Sequence, residues 1–179
     1  MAAPPNEILF TIRPKQSPVT FLYLQPTSIF ISYGNTCLLV ERQTLNIVVT
    51  HTSYHKKPIR MGLVVNSILV TGDEDELILF WNKEKVRRYN IPVNMGDIVG
   101  KQLIIAGFDN RIRLFDIHYE KGVQKSHVFV GHTMNIYNMV VIDDGIFTTS
   151  SYDGTIRWWN TQVKTCFSYF NVNIIFYVV

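Results

Sequence analysis

The chain has 179 residues, 47% hydrophobic and 17% charged, a composition typical of one globular domain rather than a disordered segment. Its formal net charge of +3 is too small to indicate a nucleic-acid-binding protein. No apolar run is long enough to span a membrane, and the start MAAPPNE lacks the basic and apolar regions of a signal peptide.

The two cysteines, Cys37 and Cys166, are far apart and have no metal-ligand spacing. We interpret them as small hydrophobic residues of a reducing compartment. The sequence therefore predicts a protein located inside the cell, in the cytoplasm or the nucleus.

Strand patterns run along most of the chain. Runs of β-branched and aromatic residues, bounded by turn signals, stand at IFIS, SILVTG, QLIIAG and GIFTTS. Almost no segment has the apolar period of a helix, and five prolines would interrupt helices: Pro14, Pro18, Pro26, Pro58 and Pro92. We expect an all-β protein.

Three segments of the chain repeat one pattern: TGDEDELILFWN, AGFDNRIRLFDI and SSYDGTIRWWN. In each, an Asp is followed three residues later by Ile and six residues later by an aromatic residue, and Asn or Asp comes next. The three Asp residues are Asp75, Asp109 and Asp153, with spacings of 34 and 44 residues. The Asp-Gly at 153–154 is a strong signal for a tight hairpin.

A weaker copy lies upstream, in SIFISYGNTCLLVE, where Gly34 occupies the Asp place and Glu41 the terminal acidic place. The sequence thus predicts four units of about 40 residues, a length typical of propeller blades. The expected bounds are an N-terminal arm or closing strand at 1–16, units at 17–53, 54–89, 90–130 and 131–170, and an apolar stub at 171–179.

The period and the motif resemble the WD-repeat β-propeller family, in which each unit forms one four-stranded blade. The fourth unit matches best, because Gly131 and His132 open it and Trp159 and Asn160 end its third strand, with Asn where the family has Asp. The resemblance covers residues 17–170. It implies an incomplete or open propeller of four blades.

The resemblance also implies a hydrogen-bonded set of four side chains in the fourth unit: His132, Thr149, Asp153 and Trp159. A buried indole N–H needs an acceptor, which the Thr hydroxyl supplies, and the carboxylate holds the imidazole in one tautomer. By alternation along the strand, we expect Trp158 to pack against a neighbouring blade.

The second unit is expected to hold the same set, as His55, Thr71, Asp75 and Trp81. The third unit has Tyr89, Ile105 and Phe115 in the places of His, Thr and Trp. Its Asp109 remains available to cap the turn.

Catalytic and metal-binding interpretations have less support. The set His132, Thr149 and Asp153 contains the residue types of a hydrolytic triad, but its repetition and its Trp partner favour a structural role. His51 and His55 have the spacing of metal ligands on a helix, but the following Lys-Pro step opposes a helix. Without a Gly-rich phosphate loop, zinc pattern or nucleophile elbow, we predict no enzyme, cofactor or metal.

Propellers that resemble this chain bind peptides or proteins across the top face, around the central channel. The corresponding positions here are Arg60, Glu74, Asn94, Phe108, Tyr137 and Tyr152. Aromatic side chains dominate many protein interfaces, and charges on the rim orient a ligand. The leading hypothesis is a non-catalytic scaffold or adaptor in a multiprotein complex.

An alternative function uses the segment VRRY, which resembles the paired-arginine motif of phosphoinositide-binding propellers but lacks the following Gly. Arg87 and Arg88 would bind phosphate groups of an anionic membrane. The competing interpretation is an edge strand whose charges prevent edge-to-edge pairing.

Four units raise the question of ring closure, because closed propellers have 4–8 blades. Three explanations remain, in this order: a truncated form of a longer propeller, pairing with another copy, or closure by four blades alone. The N-terminal ILFTIR is a candidate strand for completing a last blade.

Overall fold

The computed structural model describes residues 18–52, 54–80, 86–118 and 121–172, and the regular structure in these ranges is entirely β-strand. The strands form four antiparallel sheets of four strands each, and each sheet contains consecutive strands of the chain. This confirms the all-β prediction of four blades. Among the described residues, no helix has the length and apolarity needed to cross a membrane.

The sheets are called blades 1 to 4 in chain order. Blade 1 contains β1 (Val19–Leu24), β2 (Ser28–Tyr33), β3 (Thr36–Glu41) and β4 (Ile47–His51). Blade 2 contains β5 (Met61–Val65), β6 (Ile68–Gly72), β7 (Leu77–Phe80) and β8 (Val86–Tyr89). Blade 3 contains β9 (Met95–Val99), β10 (Gln102–Ala106), β11 (Ile112–His118) and β12 (Gly122–Phe129). Blade 4 contains β13 (Ile136–Asp143), β14 (Ile146–Ser151), β15 (Thr155–Asn160) and β16 (Thr165–Asn171).

The inner blades are buried on both faces. On β10, Leu103 and Ile105 belong to a core shared with blade 2, whereas Ile104 and Ala106 belong to a core shared with blade 4. Successive residues of a strand point to opposite faces, so a strand covered on both sides is a continuous apolar run. The run LIIA is therefore the expected sequence of a strand between two neighbouring blades.

Three apolar cores join the blades in chain order. Phe30 of blade 1 packs with Ile78 of blade 2, Val70 of blade 2 with Leu103 of blade 3, and Leu114 of blade 3 with Phe147 of blade 4. Tyr23 of blade 1 also packs against the core of blades 2 and 3. Within the described ranges no core joins blade 4 to blade 1, so the four sheets form an open, incomplete ring.

Two glycines allow the close packing of these blades. A Cβ added at Gly62 would lie 2.0 Å from the ring of Phe30, and one at Gly96 would lie 2.2 Å from the sulfur of Met61. Both glycines lie on the first strand of their blade. A large side chain of one blade thus rests directly on the backbone of the next.

Some predictions concern residues at or beyond the ends of the described ranges. The arm at 1–16, including ILFTIR, and residues 173–179 lie outside the described residues. Asn171, assigned to the terminal stub, is the last residue of β16. The prediction for Trp158 was wrong, because its ring packs at 5.0 Å on Phe170 of its own blade rather than on a neighbouring blade.

Candidate functional site

The structure brings together the four side chains expected in the fourth unit. His132 Nδ1 lies 2.8 Å from Asp153 Oδ2, and His132 Nε2 lies 2.8 Å from Thr149 Oγ1. Trp159 Nε1 donates to the same hydroxyl at 2.8 Å. If Nδ1 carries the proton toward Asp153, the Thr149 hydroxyl donates to Nε2, and every polar atom of this fourth-blade relay has a partner.

Burial and hydrogen bonds set the charge of the relay. Burial lowers the pKa of His132, although the neighbouring Asp153 opposes this shift. Burial would raise the pKa of Asp153, but hydrogen bonds from Thr155, Thr133 and His132 bring it well below its usual range. The relay therefore pairs a neutral imidazole with a carboxylate.

Thr155 is a relay member that the sequence did not suggest. Its hydroxyl donates to Asp153 Oδ1 at 2.6 Å and lies 3.2 Å from His132 Nδ1. Its position directly after Asp-Gly was the available signal, because a hydroxyl two residues after a turn Asp can reach that carboxylate.

The second unit forms a similar relay with a different carboxylate. His55 Nε2 lies 2.7 Å from Thr71 Oγ1, and His55 Nδ1 lies 2.8 Å from Asp73 Oδ2. The prediction of Asp75 is corrected, because the Asp75 side chain is largely exposed and its carboxylate lies 3.1 Å from Lys57 Nζ. Trp81, the expected fourth member, lies outside the described residues.

The length of the turn explains this correction. In blade 4, five residues separate the paired residues Ser150 and Ile156, whereas in blade 2 only four separate Gly72 and Leu77. The shorter turn brings its first residue, Asp73, to the imidazole. Asp73 Oδ1 also accepts the backbone N–H groups of Asp75 and Glu76, at 2.7 and 2.9 Å. The residue paired with Leu69 is Phe80, in the register position that Trp159 holds opposite Phe147.

The third unit has an apolar version of the relay. Ile105 and Phe115 are buried in the core between blades 2 and 3, and Phe115 holds the register position of Trp159. Tyr89 packs against the same core, and its hydroxyl accepts the N–H of Val123 at 3.1 Å. The guanidinium of Arg113 forms two hydrogen bonds with Asp109 and holds the pKa of that carboxyl below its usual value.

The burial of the relays does not favour catalysis or metal binding. The side chain of His132 is 0% exposed, so a substrate has no path to its imidazole. Among the described residues, one group, His55, Asp73 and Glu76, has ligand-type atoms within 4.8 Å of one another. Both nitrogens of His55 already have partners, and Glu76 pairs with Arg88. His51 is not in that group; its ring packs edge-on against Tyr54, at 5.1 Å.

The six positions expected on the top face lie at one edge of the sheets, called the rim. Arg60, Asn94 and Tyr137 lie at or just before the first strand of a blade, and Glu74, Phe108 and Tyr152 lie in the turn between its second and third strands. Backbone hydrogen bonds link the two places, from Arg60 to Gly72, from Asn94 to Ala106 and from Tyr152 to Asn135.

Charged rim residues join blades 2 and 3. Arg60 forms an ion pair with Glu74, and its guanidinium carbon lies 5.2 Å from the ring centroid of Phe108. Lys57 Nζ also approaches Glu74, at 3.6 Å. The rim of blade 2 is thus a mixed-charge surface with an aromatic neighbour.

The rim of blade 4 is aromatic. Tyr137 and Tyr152 are 48% and 69% exposed, and their ring centroids are 5.2 Å apart. Asn94 donates to the carbonyl of Ile136 at 2.7 Å, next to Tyr137, and so joins blades 3 and 4. The two tyrosines offer the largest exposed aromatic area among the six positions.

The two arginines of β8 lie on opposite faces of the strand. Arg88 donates to Glu76 and to the carbonyl of Tyr54, both at 2.6 Å. Arg87 lies on the other face of the strand, near Gly122 of blade 3. This arrangement does not favour a phosphate site shared by the pair, and the membrane alternative stays a prediction.

Comparison with known proteins identifies the repeat. Residues 123–160, which contain the four relay residues of the fourth unit, match the family model described as "WD domain, G-beta repeat". The chain is 20% identical to the WD repeat-containing protein pop2 of Schizosaccharomyces pombe, over 91% of this chain and 29% of that protein. The chain thus spans less than a third of the length of that relative.

Proposed function

We propose that this chain, which the matched repeat and the four blades support as a member of the WD-repeat family, is a non-catalytic scaffold that binds a partner protein at its rim. WD repeats generally mediate protein–protein interaction, and proteins of the family are typically non-enzymatic. The surface that would bind the partner has to be argued from the residues of this chain.

The observation that carries the proposal is the exposed pair Tyr137 and Tyr152. Tyrosines contribute large contact areas and lose little conformational entropy on binding, so they are frequent anchors of protein interfaces. Here both rings are held on one blade and contact each other, at 5.2 Å. A partner would find them already positioned.

The relay supports this binding surface from beneath. Asp153 directly follows Tyr152 and is fixed by His132, Thr155 and the N–H of Thr133. Because the turn is held from inside the blade, Tyr152 is presented from a rigid backbone. Rigid presentation reduces the entropy lost when a partner binds.

Charges on the neighbouring blade add selectivity. Arg60 and Glu74 remain partly exposed, with side-chain exposures of 41% and 35%. Exposed charges at an interface rim mainly set orientation and association rate rather than affinity. We therefore expect the tyrosines to contribute most of the affinity and the charged pair to select the partner.

Capture from cells tests this proposal. The chain is immobilised as the wild type, as the double variant Tyr137→Ala/Tyr152→Ala and as the control Phe167→Ala. Phe167 is 55% exposed on the outer strand of blade 4, away from the rim. Bound proteins are identified by mass spectrometry, and the affinity of the most abundant partner is then measured for each form.

We expect at least one protein that the wild type and the control bind and the rim variant loses, with affinity reduced about tenfold or more, or about 1.4 kcal/mol. Equal capture by all three forms would refute the proposal that the rim binds the partner. A fourth form, Arg87→Ala/Arg88→Ala, is compared on vesicles containing phosphoinositide at physiological salt. Vesicle binding by the wild type that this form loses would favour the membrane function instead.

A further inference from the structure

The outermost strand of blade 1, β4, has one edge with which no other described strand pairs. It is the last strand in the order of its sheet and pairs with β3 alone. Such an edge offers a row of backbone N–H and C=O groups to another strand, and proteins commonly protect it with charged side chains. The outer strands of blades 2 and 3 carry Arg87, Arg88 and Lys125, whereas β4 carries no charged residue.

The register shows which backbone groups of β4 point outward. The N–H of Glu41 bonds the carbonyl of Asn46, just before β4, so the odd-numbered residues of β3 bond toward β4. Their partners in β4 are Val49 and His51. The N–H and C=O of Thr50, which lies between these partners, therefore point away from the sheet.

A groove of about 590 Å³ follows this edge and is lined by Val48, Val49, Thr50, His51, Thr52 and Tyr54. The ring of Tyr54 packs edge-on against that of His51, with centroids 5.1 Å apart. Arg88 of blade 2 donates to the carbonyl of Tyr54 at 2.6 Å. One end of the groove is thus fixed by a contact between two blades.

We propose that an extended peptide segment of a partner protein, with acidic residues at its two ends, adds to the outer edge of β4 as a fifth strand of blade 1. Strand addition takes its affinity from main-chain hydrogen bonds and its specificity from alternate side chains. Thr50 supplies the outward backbone groups. Ile47 and Val48, 51% and 54% exposed, supply β-branched side chains for cross-strand pairs. This edge belongs to blade 1, whereas the six rim positions belong to blades 2 to 4.

The charges at the two ends of the groove favour an acidic segment over a second copy. The stretch 43–55 contains no Asp, Glu, Lys or Arg, and the exposed cations Arg42 and Lys56 stand on either side of it. Neither cation forms an ion pair with any residue that the structure describes. The acid next to Arg42 in the chain, Glu41, accepts the hydroxyl of Thr44. Antiparallel pairing of two β4 strands would bring Arg42 of one copy toward Lys56 of the other, which like-charge repulsion opposes.

A phage-displayed library of random peptides, each of about ten residues, supplies the probe for this edge. Peptides selected on the full chain are measured against the wild type, Thr50→Pro and the matched control Thr50→Val. Proline removes the outward N–H and is tolerated on an edge strand where that group faces solvent, whereas valine keeps the N–H. We expect β-branched or aromatic peptides with acidic ends. The wild type and Thr50→Val should bind them equally, and Thr50→Pro at least about tenfold more weakly.

Amide hydrogen exchange followed by NMR gives a readout that side-chain docking would not change. The Thr50 amide is expected to exchange fast in the free chain and slowly with the selected peptide bound. The amides of Val49 and His51, which face β3, should change little. The rim variant Tyr137→Ala/Tyr152→Ala is expected to bind the peptide as the wild type does, so failure of this edge and failure of the rim are distinguishable.

Four results would overturn the proposal. They are a selection that yields no peptide sensitive to Thr50→Pro, selected peptides with basic rather than acidic ends, a Thr50 amide already protected in the free chain, and a wild-type dimer that Thr50→Pro dissociates. The third result would favour a segment of the chain itself as the occupant, and the fourth a second copy. Thr52→Pro, at the next outward position, repeats the test if Thr50→Pro fails to give the wild-type circular dichroism spectrum.

Discussion

At the scale of residues, the relays solve the problem of placing polar groups between packed sheets. A buried indole N–H or imidazole without a partner destabilises the folded chain by about 1–3 kcal/mol. In blade 4, Thr149 accepts from Trp159 while it bonds His132, and Asp153 completes the series. In blade 3, Ile105 and Phe115 replace polar members of the relay, so these two positions have no buried polar group that needs a hydrogen-bond partner.

The role of Asp73 is tested by a matched pair of variants. Asp73→Asn is expected to lower the free energy of unfolding by about 1–3 kcal/mol, because a single amide oxygen cannot accept both from His55 and from the turn N–H groups. Asp75→Asn, on the exposed side of the same turn, is expected to change the free energy of unfolding much less. Urea denaturation measures both, and a larger loss for Asp75→Asn would restore the assignment made from the sequence.

Thr149→Val keeps the shape of the side chain and removes its hydroxyl. It leaves Trp159 Nε1 and His132 Nε2 without a partner, so we expect a loss of about 1–3 kcal/mol or more in the free energy of unfolding. Thr165→Val, an exposed position on β16, is the control and should stay within about 0.5 kcal/mol of the wild type. Equal stability of both variants would contradict the structural role of the relay.

The relays also predict the effect of pH on stability. The pKa values of His55 and His132 are lowered by burial, so below the ordinary value of 6.5 the unfolded chain binds protons that the folded chain does not. Stability is therefore complete above that pH and decreases as the pH falls below it. The lowered pKa values of Asp73 and Asp153 act in the same direction at lower pH. Melting temperatures between pH 7 and pH 5 should fall, and a rise would contradict neutral buried imidazoles.

The sequence predicted the polar set of blade 4 from the family pattern but misplaced the acid of blade 2. TGDEDE offers two Asp residues, and the choice between them depends on a turn length that local pattern does not specify. The contact of Tyr23 with Asp97 could not be predicted from the sequence either, because it joins residues of blades 1 and 3 that are far apart in sequence. Contacts of this kind follow from the stacking of blades.

At the scale of elements, alternating burial determines how each strand is used. The segment SILVTG and the segment QLIIAG predict strands because their β-branched residues lie between turn signals, and both are strands of inner blades. Trp158 shows the limit of this approach. Alternation correctly separates its face from that of Trp159, but which face meets another blade depends on the position of the blade in the stack.

The close junction between blades 1 and 2 is tested by Gly62→Ala. The added methyl group would meet the ring of Phe30 at 2.0 Å, so the blades must separate or the ring must move. We expect a loss of about 1–3 kcal/mol in the free energy of unfolding. The double variant Gly62→Ala/Phe30→Leu should lose less than the sum of the single changes, and strict additivity would contradict direct contact.

At the scale of the whole molecule, the chain is a stack of sheets with its best-covered strands in the middle. All five residues of β6 are buried, and β5 and β10 are nearly as well covered, whereas β1, β4 and β16 are largely exposed. This architecture suits a protein that binds a partner, because the inner blades supply the stability and the rim residues do not have to. The proposed rim depends on that stack.

Hydrogen–deuterium exchange of the whole chain, followed by mass spectrometry, tests the stack most directly. Backbone amides in strands covered on both faces exchange only through large openings, whereas those in exposed outer strands exchange through local ones. We predict the slowest exchange in β5, β6 and β10 and the fastest in β1, β4 and β16. Uniformly fast exchange across the four blades, or slower exchange in the outer strands than in the inner ones, would contradict the arrangement of blades on which the account depends.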